Sequence, residues 1–214
     1  MITTNIKFTP DTWIEINWSD YLELCNDPQY QKAKFYYYSQ KARIEMTPIG
    51  NDHSRDHSII TYAIHLYAAL KSIPLNGNDC CSYRKVGVRE AQPDLSFYIG
   101  DNVDAIPYGT SIIDLDSYPP PNLVIEIANT SLNDDKGEKR LLYEDLGVEE
   151  YWIVDVKSVQ IIAFRVEQKG SWRVTQSQVL PELDISVLIQ ALQLSRETNH
   201  SQVSAWLLQQ FQTK

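Results

Sequence analysis

The stretch Leu123–Ala128 has the sequence LVIEIA, an apolar run of strand length with one charged residue, Glu126, inside it. A run of this kind is typical of a central strand that is buried on both faces. A second apolar run, residues 150–156, predicts another strand. Between them, a helix is predicted to end at Gly147, since glycine is favoured just after a helix. Strand, helix and strand form a βαβ-like unit, so we expect an α/β or mixed fold.

Hydrophobic periodicity predicts the remaining elements. A pattern with helical steps covers residues 54–71, and another follows near the end of the chain, where four apolar residues share one helical stripe. Those four are Val203, Trp206, Leu207 and Phe211. The predicted strands cover residues 35–38, 41–46, 82–88, 95–99, 159–166 and 171–175, and a further helix covers residues 185–194.

Composition narrows the class of protein. The chain has 214 residues, of which 43% are hydrophobic and 22% are charged, as expected for one globular domain with appendages. Its formal charge of −9 argues against DNA binding through a simple basic surface. Carboxylates that bind a metal would contribute to this deficit, so a nuclease is not excluded.

The first residues and the cysteines indicate a compartment. No basic segment followed by an apolar segment is present at the N-terminus, and no uncharged apolar run is long enough to span a bilayer. Cys25, Cys80 and Cys81 are an odd number with an adjacent pair, which is a poor disulfide framework and favours inert thiols in a reducing cytoplasm. We therefore expect a cytoplasmic protein.

Two acidic residues stand on predicted strands. Asp94 follows Pro93 at the start of one apolar run, and Glu126 lies inside another. A carboxylate in a buried strand needs a cation or a metal beside it, because an unpaired buried charge is costly. If the two strands are neighbours, both carboxylates reach one hard cation, and oxygen ligands suit Mg²⁺. For Glu126 alone, a structural salt bridge explains the pattern equally well.

The next helix carries Asp135, Lys139 and Tyr143 at four-residue spacing, which places them on one face. A lysine beside a phosphate can orient or deprotonate water, or neutralise developing charge. The alternative is a surface ion pair between Asp135 and Lys139 with Tyr143 in the core. Periodicity alone does not separate these two interpretations.

Several motifs in order resemble the Uma2 family, also known as DUF820, over about residues 35–165. These endonuclease-like proteins belong to the PD-(D/E)XK, or restriction-endonuclease-like, superfamily and are common in cyanobacteria. The motifs are Pro93-Asp94, EIANTS from Glu126, Asp135-x3-Lys139-x3-Tyr143, GVEEYWIVD from Gly147, and RIEMTP from Arg43 with a following His53.

The resemblance implies a restriction-endonuclease-like mixed β-sheet flanked by helices. We divide the chain into an N-terminal extension (1–34), the nuclease-like domain (35–180) and a C-terminal helical extension (181–214). An unpacked amphipathic helix would expose an apolar patch, so we expect this extension to pack on the domain or on a partner subunit. The resemblance also implies Mg²⁺-dependent hydrolysis of DNA, with Asp94 and Glu126 holding the metal. Glu45, on its own strand, could face the same metal as an additional carboxylate ligand; the alternative is a solvent-facing strand residue.

The catalytic lysine departs from the superfamily pattern. The usual E-x-K motif would place lysine at position 128, where this chain has Ala128. The resemblance suggests that Lys139 on the helix is the catalytic lysine, with Lys136 as the alternative. A homodimer is expected, because cutting two strands suits a two-fold axis.

Three alternatives remain at this point. The fold could serve as a non-catalytic binding or regulatory module, which the acidic charge favours, or the substrate could be RNA. His53 and His57, four residues apart, could contribute to a zinc site, although their sequence context lacks H-E-x-x-H. By resemblance, His53 instead lies at the edge of the active cleft. No P-loop, G-x-S-x-G or G-x-G-x-x-G motif is present, so those enzyme classes have no support.

Overall fold

The structure is a computed structural model that describes residues 9–46, 49–168 and 170–212. Thr47 and Pro48 of the RIEMTP motif lie outside the described residues, as do the first eight residues of the predicted N-terminal extension. Among the described residues, no helix combines the length and the apolar character that crossing a membrane requires.

Twelve strands and six α-helices follow one another along the described chain. The first half contains β1 (Ile14–Glu15), α1 (Trp18–Cys25), β2 (Lys34–Tyr38), β3 (Lys41–Glu45), α2 (Asn51–Lys71), β4 (Leu75–Asp79), β5 (Tyr83–Lys85), β6 (Arg89–Ala91) and β7 (Leu95–Ile99). The second half contains β8 (Ile113–Asp114), β9 (Leu123–Ala128), α3 (Leu132–Lys136), α4 (Glu138–Leu146), β10 (Glu150–Asp155), β11 (Gln160–Glu167), β12 (Gly170–Val174), α5 (Ile185–Glu197) and α6 (His200–Gln212).

The strands form two mixed sheets, which confirms the predicted class of a mixed β-structure flanked by helices. The first sheet has the order β1-β3-β2-β6-β5-β8, and the second has the order β12-β11-β10-β9-β7-β4. In the second sheet, β9 and β10 run parallel, while β7 pairs with β9 in the antiparallel sense. The predicted buried strand β9 therefore lies near the middle of its sheet.

The second sheet is covered on both faces, which explains why β9 is apolar almost throughout. On one face, Ile125 packs in a core with Ile64 of α2, Leu188 of α5 and Leu207 of α6. On the other face, Val124 packs with residues of β2 and α4. Because side chains alternate along a strand, Glu126 shares its face with Val124 and points between the two sheets.

The C-terminal helix packs on the described domain. Val203, Leu207 and Phe211 are buried, and Trp206 is partly buried beside them. The ring of Phe211 meets Tyr67 of α2 edge-on, with 5.0 Å between ring centroids. The predicted apolar stripe thus contributes to the main core.

Two predicted elements were wrong in detail. The single strand over residues 82–88 is the hairpin of β5 and β6, because Gly87 adopts a left-handed φ of 73° and turns the chain. The single helix ending at Gly147 is divided into α3 and α4 by Gly137, whose φ of −102° and ψ of −109° are not helical. Gly147 itself has the predicted left-handed conformation, with φ of 83°.

Candidate active site

The register of β7 against β9 places Asp94 and Glu126 on the same face of the second sheet. The antiparallel pairs are Leu95 with Ile125, Ser96 with Val124 and Phe97 with Leu123. One step further, the same register sets Asp94 opposite Glu126. Directly opposed residues of an antiparallel pair project on the same side. The two predicted acidic residues therefore face one space between the sheets.

Asp94 is held by three donors although it is only 4% exposed. Its Oδ1 forms an ion pair with Lys34 of β2, and its Oδ2 lies 3.3 Å from Nε2 of His53. The main-chain amide of Ile127 also donates to Oδ2, at 2.7 Å. Burial favours the neutral acid, but Lys34 and then His53 outweigh it, so the pKa of Asp94 lies well below its usual value.

Glu126 lies deeper between the sheets and is 2% exposed. The hydroxyl groups of Tyr143 and Tyr36 donate to its Oε1 at 2.7 and 3.1 Å, and Nζ of Lys139 lies 3.6 Å from the same oxygen. Burial raises the pKa of Glu126 to about 8, with repulsion from Asp94 adding to it and Lys139 opposing it. All of these contacts use Oε1, so Oε2 is the oxygen that can meet a ligand.

Lys139 is buried among three carboxylates. Its Nζ lies 2.8 Å from Oε1 of Glu45, 3.1 Å from Oδ1 of Asp135 and 3.6 Å from Oε1 of Glu126. The same ammonium lies 4.3 Å from the centroid of the Tyr36 ring, within the range of a cation–π contact. Burial lowers the pKa of Lys139, but the three carboxylates together raise it well above the usual value. Lys136 is exposed, so Lys139 is the helix lysine beside the acidic residues.

Glu45 belongs to the same cluster through its position at the end of β3. Its Oε1 receives the Nε–H of Arg43 at 2.9 Å as well as the ammonium of Lys139. Burial opposes ionisation, but Lys139 and Arg43 lower the pKa of Glu45, which keeps this carboxylate charged. Glu45 is thus anchored to two cations before any ligand arrives.

A cavity of about 390 Å³ opens onto the cluster. Its lining includes Asp94, Glu126, Glu45, His53 and Lys34. Lys139 is absent from the described residues that line it. The structure therefore brings the three predicted metal ligands, Asp94, Glu126 and Glu45, to one cavity. The predicted lysine, Lys139, is buried behind them.

The donors around this cavity suit a hard divalent cation. Asp94 and Glu126 offer carboxylate oxygens from one face of the sheet, as Mg²⁺ prefers. Four carboxylates and three permanent cations form the cluster: Asp94, Glu126, Glu45 and Asp135 with Lys34, Lys139 and Arg43. Because the pKa of Glu126 is raised to about 8, a divalent cation bound there would take the place of the proton that Glu126 holds at neutral pH. Within the described part of the chain, no group of three or more His, Cys, Asp or Glu side chains is close enough to form a metal centre by itself.

Sequence reasoning missed Lys34 and Tyr36 as members of the site. Lys34 lies just before the predicted strand of residues 35–38, and Tyr36 lies inside it. Both face the second sheet because they alternate along β2, and their partners lie 60 and 90 residues later in the chain. The two-residue spacing of Lys34 and Tyr36 predicts that they share one face of a strand. It does not predict which strand that face packs against.

The two histidines at four-residue spacing face different carboxylates, although Nε2 of His57 also lies 3.3 Å from the main-chain oxygen of Asp94. His53 faces Asp94, whereas Nε2 of His57 lies 3.0 Å from Oδ1 of Asp79. His53 lines the cavity, in the position that the resemblance suggested, and His57 does not appear among the described lining residues. This arrangement gives no support to a zinc site built on the pair.

The three cysteines are free thiols and are partly buried. Burial, with repulsion from Glu90, raises the pKa of Cys25 to about 11, and burial raises the pKa of Cys80 to about 11 as well. Thiols of this kind are mostly protonated at neutral pH and are weak nucleophiles.

Comparisons with known proteins agree with this fold. The family model described as "Uma2: Putative restriction endonuclease" matches residues 18–199. A crystal structure of "a putative nuclease belonging to DUF820" from Anabaena variabilis is similar to the chain with a TM-score of 0.57 and 19% sequence identity. The alignment covers 83% of this chain and 99% of that one, and at this identity it shows the shared fold. No curated protein matches the chain. Because the family model spans most of its length, the chain belongs to the Uma2 family of restriction-endonuclease-like proteins.

Proposed function

We propose that this protein is an Mg²⁺-dependent endonuclease that hydrolyses phosphodiester bonds in DNA in the cytoplasm. The observation that carries the proposal is the placement of Asp94 and Glu126 on one sheet face at a shared cavity. Membership of the Uma2 family supports a nuclease.

Asp94 and Glu126 would hold the cation, with Glu45 as a further carboxylate at the same cavity. A divalent cation bound there would polarise a phosphoryl oxygen and lower the pKa of a bound water. The Ile127 amide fixes one oxygen of Asp94, and Tyr36 and Tyr143 fix one oxygen of Glu126. Both carboxylates are therefore oriented before substrate binds, which limits the reorganisation needed for reaction.

Lys139 would act as a positioning residue. Its ammonium contacts Glu126 and Glu45 directly. Lys139 is only 1% exposed, so these carboxylates separate it from the cavity. Its contribution to orienting or activating water would pass through Glu126 and Glu45. This role keeps Lys139 in the site while explaining why the side chain is enclosed.

The test is a cleavage assay with matched variants. Supercoiled plasmid, linear duplex, single-stranded DNA and RNA are incubated with Mg²⁺, Mn²⁺ or EDTA. We expect cation-dependent cleavage of DNA by the wild type and a loss of at least about 100-fold in Asp94→Asn and Glu126→Gln, since both would lose a cation ligand. Glu138→Gln is the control, because Glu138 is a surface carboxylate paired with Lys41 outside the cavity.

Two results would contradict the proposal. Equal cleavage by the wild type and both site variants would show that the activity comes from a different site or from a contaminating nuclease. A folded protein that cleaves none of these nucleic acids with either cation would favour a non-catalytic module. Preferential cleavage of RNA would keep the site and change the substrate.

We also propose that the protein acts as a homodimer. Two copies related by a two-fold axis would present two cavities to the two strands of a duplex. Light scattering coupled to size-exclusion chromatography, with and without a duplex, measures the mass directly. A monomer under both conditions would contradict this part of the proposal.

A further inference from the structure

Lys34 enters the cavity from the first sheet, opposite the strands that carry the acidic residues. It is the first residue of β2, and its ammonium forms the ion pair with Oδ1 of Asp94. Its side chain is 15% exposed and lines the cavity. Lys34 is thus the cavity lysine that directly contacts a proposed cation ligand.

Both acidic residues stabilise the charged form of Lys34. Burial lowers the pKa of Lys34, but attraction to Asp94 and then to Glu126 raises it above the usual value. The ammonium therefore supplies one positive charge to the space between these two carboxylates. A divalent cation placed on the same carboxylates would repel it strongly, because like charges at contact distance in a partly buried site are poorly screened.

Lys139 has a partner outside the proposed cation ligands. Its ammonium is enclosed by Glu45, Asp135 and Glu126 and lies against the Tyr36 ring. It keeps Asp135 as a partner even if a cation binds to both Glu126 and Glu45. Lys34 lines the cavity and Lys139 does not, so Lys34 is the better placed of the two to exchange its partner for a ligand in the cavity.

We propose that Lys34 is the substrate-contacting lysine of this site: its ammonium holds Asp94 in the cation-free protein and transfers to a phosphate oxygen when a divalent cation binds Asp94. This inference rests on the proposed nuclease function. Once displaced, a partly buried ammonium needs a new anionic partner, and a phosphodiester in the cavity provides one. On β9, position 128 is Ala128 and not a lysine. A lysine that contacts the phosphate therefore has to come from another element.

The first experiment measures cation affinity without catalysis. Isothermal titration calorimetry with Mn²⁺ is carried out on the wild type, Lys34→Gln and Lys34→Met. Gln keeps a hydrogen-bond donor for Asp94, and Met keeps the length of the side chain. We expect both variants to bind Mn²⁺ at least about 10-fold more tightly than the wild type, because no ammonium has to leave Asp94.

Lys32→Met is the matched control for this arm. Lys32 lines the same cavity, but it is exposed and the contacts of Asp94 do not include it. Its removal changes the net charge by the same amount without vacating Asp94. We expect its affinity for Mn²⁺ to stay within about 2-fold of the wild type, since exposed charges are well screened.

The second experiment measures the phosphate contact. Binding of a fluorescent 20-base-pair duplex is followed by anisotropy in Ca²⁺ over a range of salt concentrations. We expect Lys34→Gln to bind about 10-fold more weakly and to lower the salt slope by about 1, as for the loss of one phosphate contact. Lys41→Met, which removes a lysine from a surface pair with Glu138, should leave both values unchanged.

Specific outcomes separate this inference from the proposed function. Equal Mn²⁺ affinity in the wild type and both Lys34 variants overturns the inference, even if the wild type cleaves DNA. Tighter Mn²⁺ binding with unchanged duplex affinity and salt slope also overturns it, because the ammonium then has no phosphate partner. If both expected changes occur in a protein that cleaves no nucleic acid, the partner exchange of Lys34 stands and the nuclease activity does not.

Discussion

Asp94 accepts a hydrogen bond from the main-chain amide of Ile127, with 2.7 Å between Oδ2 and the nitrogen. The first acidic residue of the site is therefore attached to the backbone of the strand that carries the second. This contact fixes the distance between β7 and β9 at the cavity. It also means that a substitution at Asp94 changes both the charge and the geometry of the site.

We expect Asp94→Asn and Asp94→Ala to abolish cleavage equally but to differ in stability. Asn retains an oxygen for the Ile127 amide, whereas Ala leaves that buried donor unpaired. A buried donor without a partner costs about 1–3 kcal/mol, so Ala should be less stable than Asn by about that amount. Urea denaturation in EDTA measures the difference. Equal free energies of unfolding would show that the hydrogen bond does not support the fold.

Glu126→Gln should abolish cleavage and leave the cation-free fold intact at neutral pH. Since the pKa of Glu126 is raised to about 8, this carboxyl is largely neutral at pH 7 in the absence of a cation. A neutral amide of the same shape should therefore change the free energy of unfolding by less than about 1 kcal/mol. Collapse of the melting transition would instead identify Glu126 as a structural salt-bridge partner.

The pH dependence of stability supplies a separate test of Glu126. The folded protein keeps a proton on Glu126 up to about pH 8, whereas the usual pKa of this group is 4.5. Unfolding between these values releases a proton, so this residue makes stability fall as pH rises through the window. Glu126→Gln should show a flatter stability profile from pH 5 to 8 than the wild type, both measured in EDTA. Parallel profiles would contradict the raised pKa.

Lys139→Met should destabilise the protein by about 3–5 kcal/mol, because three carboxylates would lose their shared buried counter-charge. Urea denaturation in EDTA measures this loss. Lys41→Met is the control, since Lys41 forms an exposed pair with Glu138 and should give no measurable change. A variant of Lys139 as stable as this control would show that the cluster adapts by protonation at little cost.

Leu207→Ala in α6 should cost about 2–5 kcal/mol, as for other large-to-small changes in a packed core. Leu207 is fully buried, whereas its neighbour Leu208 is 37% exposed. Leu208→Ala is therefore the matched control and should have a much smaller effect. Removal of the residues after Asn199 deletes Phe211, which packs against Tyr67. This truncation should therefore expose part of the core and lower the melting temperature. Unchanged stability after truncation would make α6 dispensable.

The sequence predicted the parts of the site that depend on local pattern. The apolar run of β9 located Glu126 in a buried strand, and four-residue spacing placed Asp135, Lys139 and Tyr143 on one side of the helical segment. This spacing holds across the break at Gly137, because Lys139 still reaches Asp135. These features depend on periods of two residues or of one helical turn, which a sequence shows directly.

Contacts between the sheets could not be predicted in the same way. The ion pair of Lys34 with Asp94 joins strands from different sheets, and no local period connects them. The hairpin at Gly87 was missed because apolar residues on both sides of the turn resemble one continuous strand. Tertiary packing decided the ion pair, and the left-handed turn at Gly87 decided the hairpin.

The enclosure of Lys139 has a consequence for synthesis of the chain on the ribosome. Glu45 and Glu126 leave the ribosome before Lys139, the cation that both of them contact. Until α4 docks, these carboxylates lack that counter-charge, so each of them has to stay hydrated or bind a proton. A nascent or prematurely terminated chain that ends before α4 therefore cannot assemble a working cavity. Newly made protein therefore acquires its acidic centre only after α4 has been synthesised.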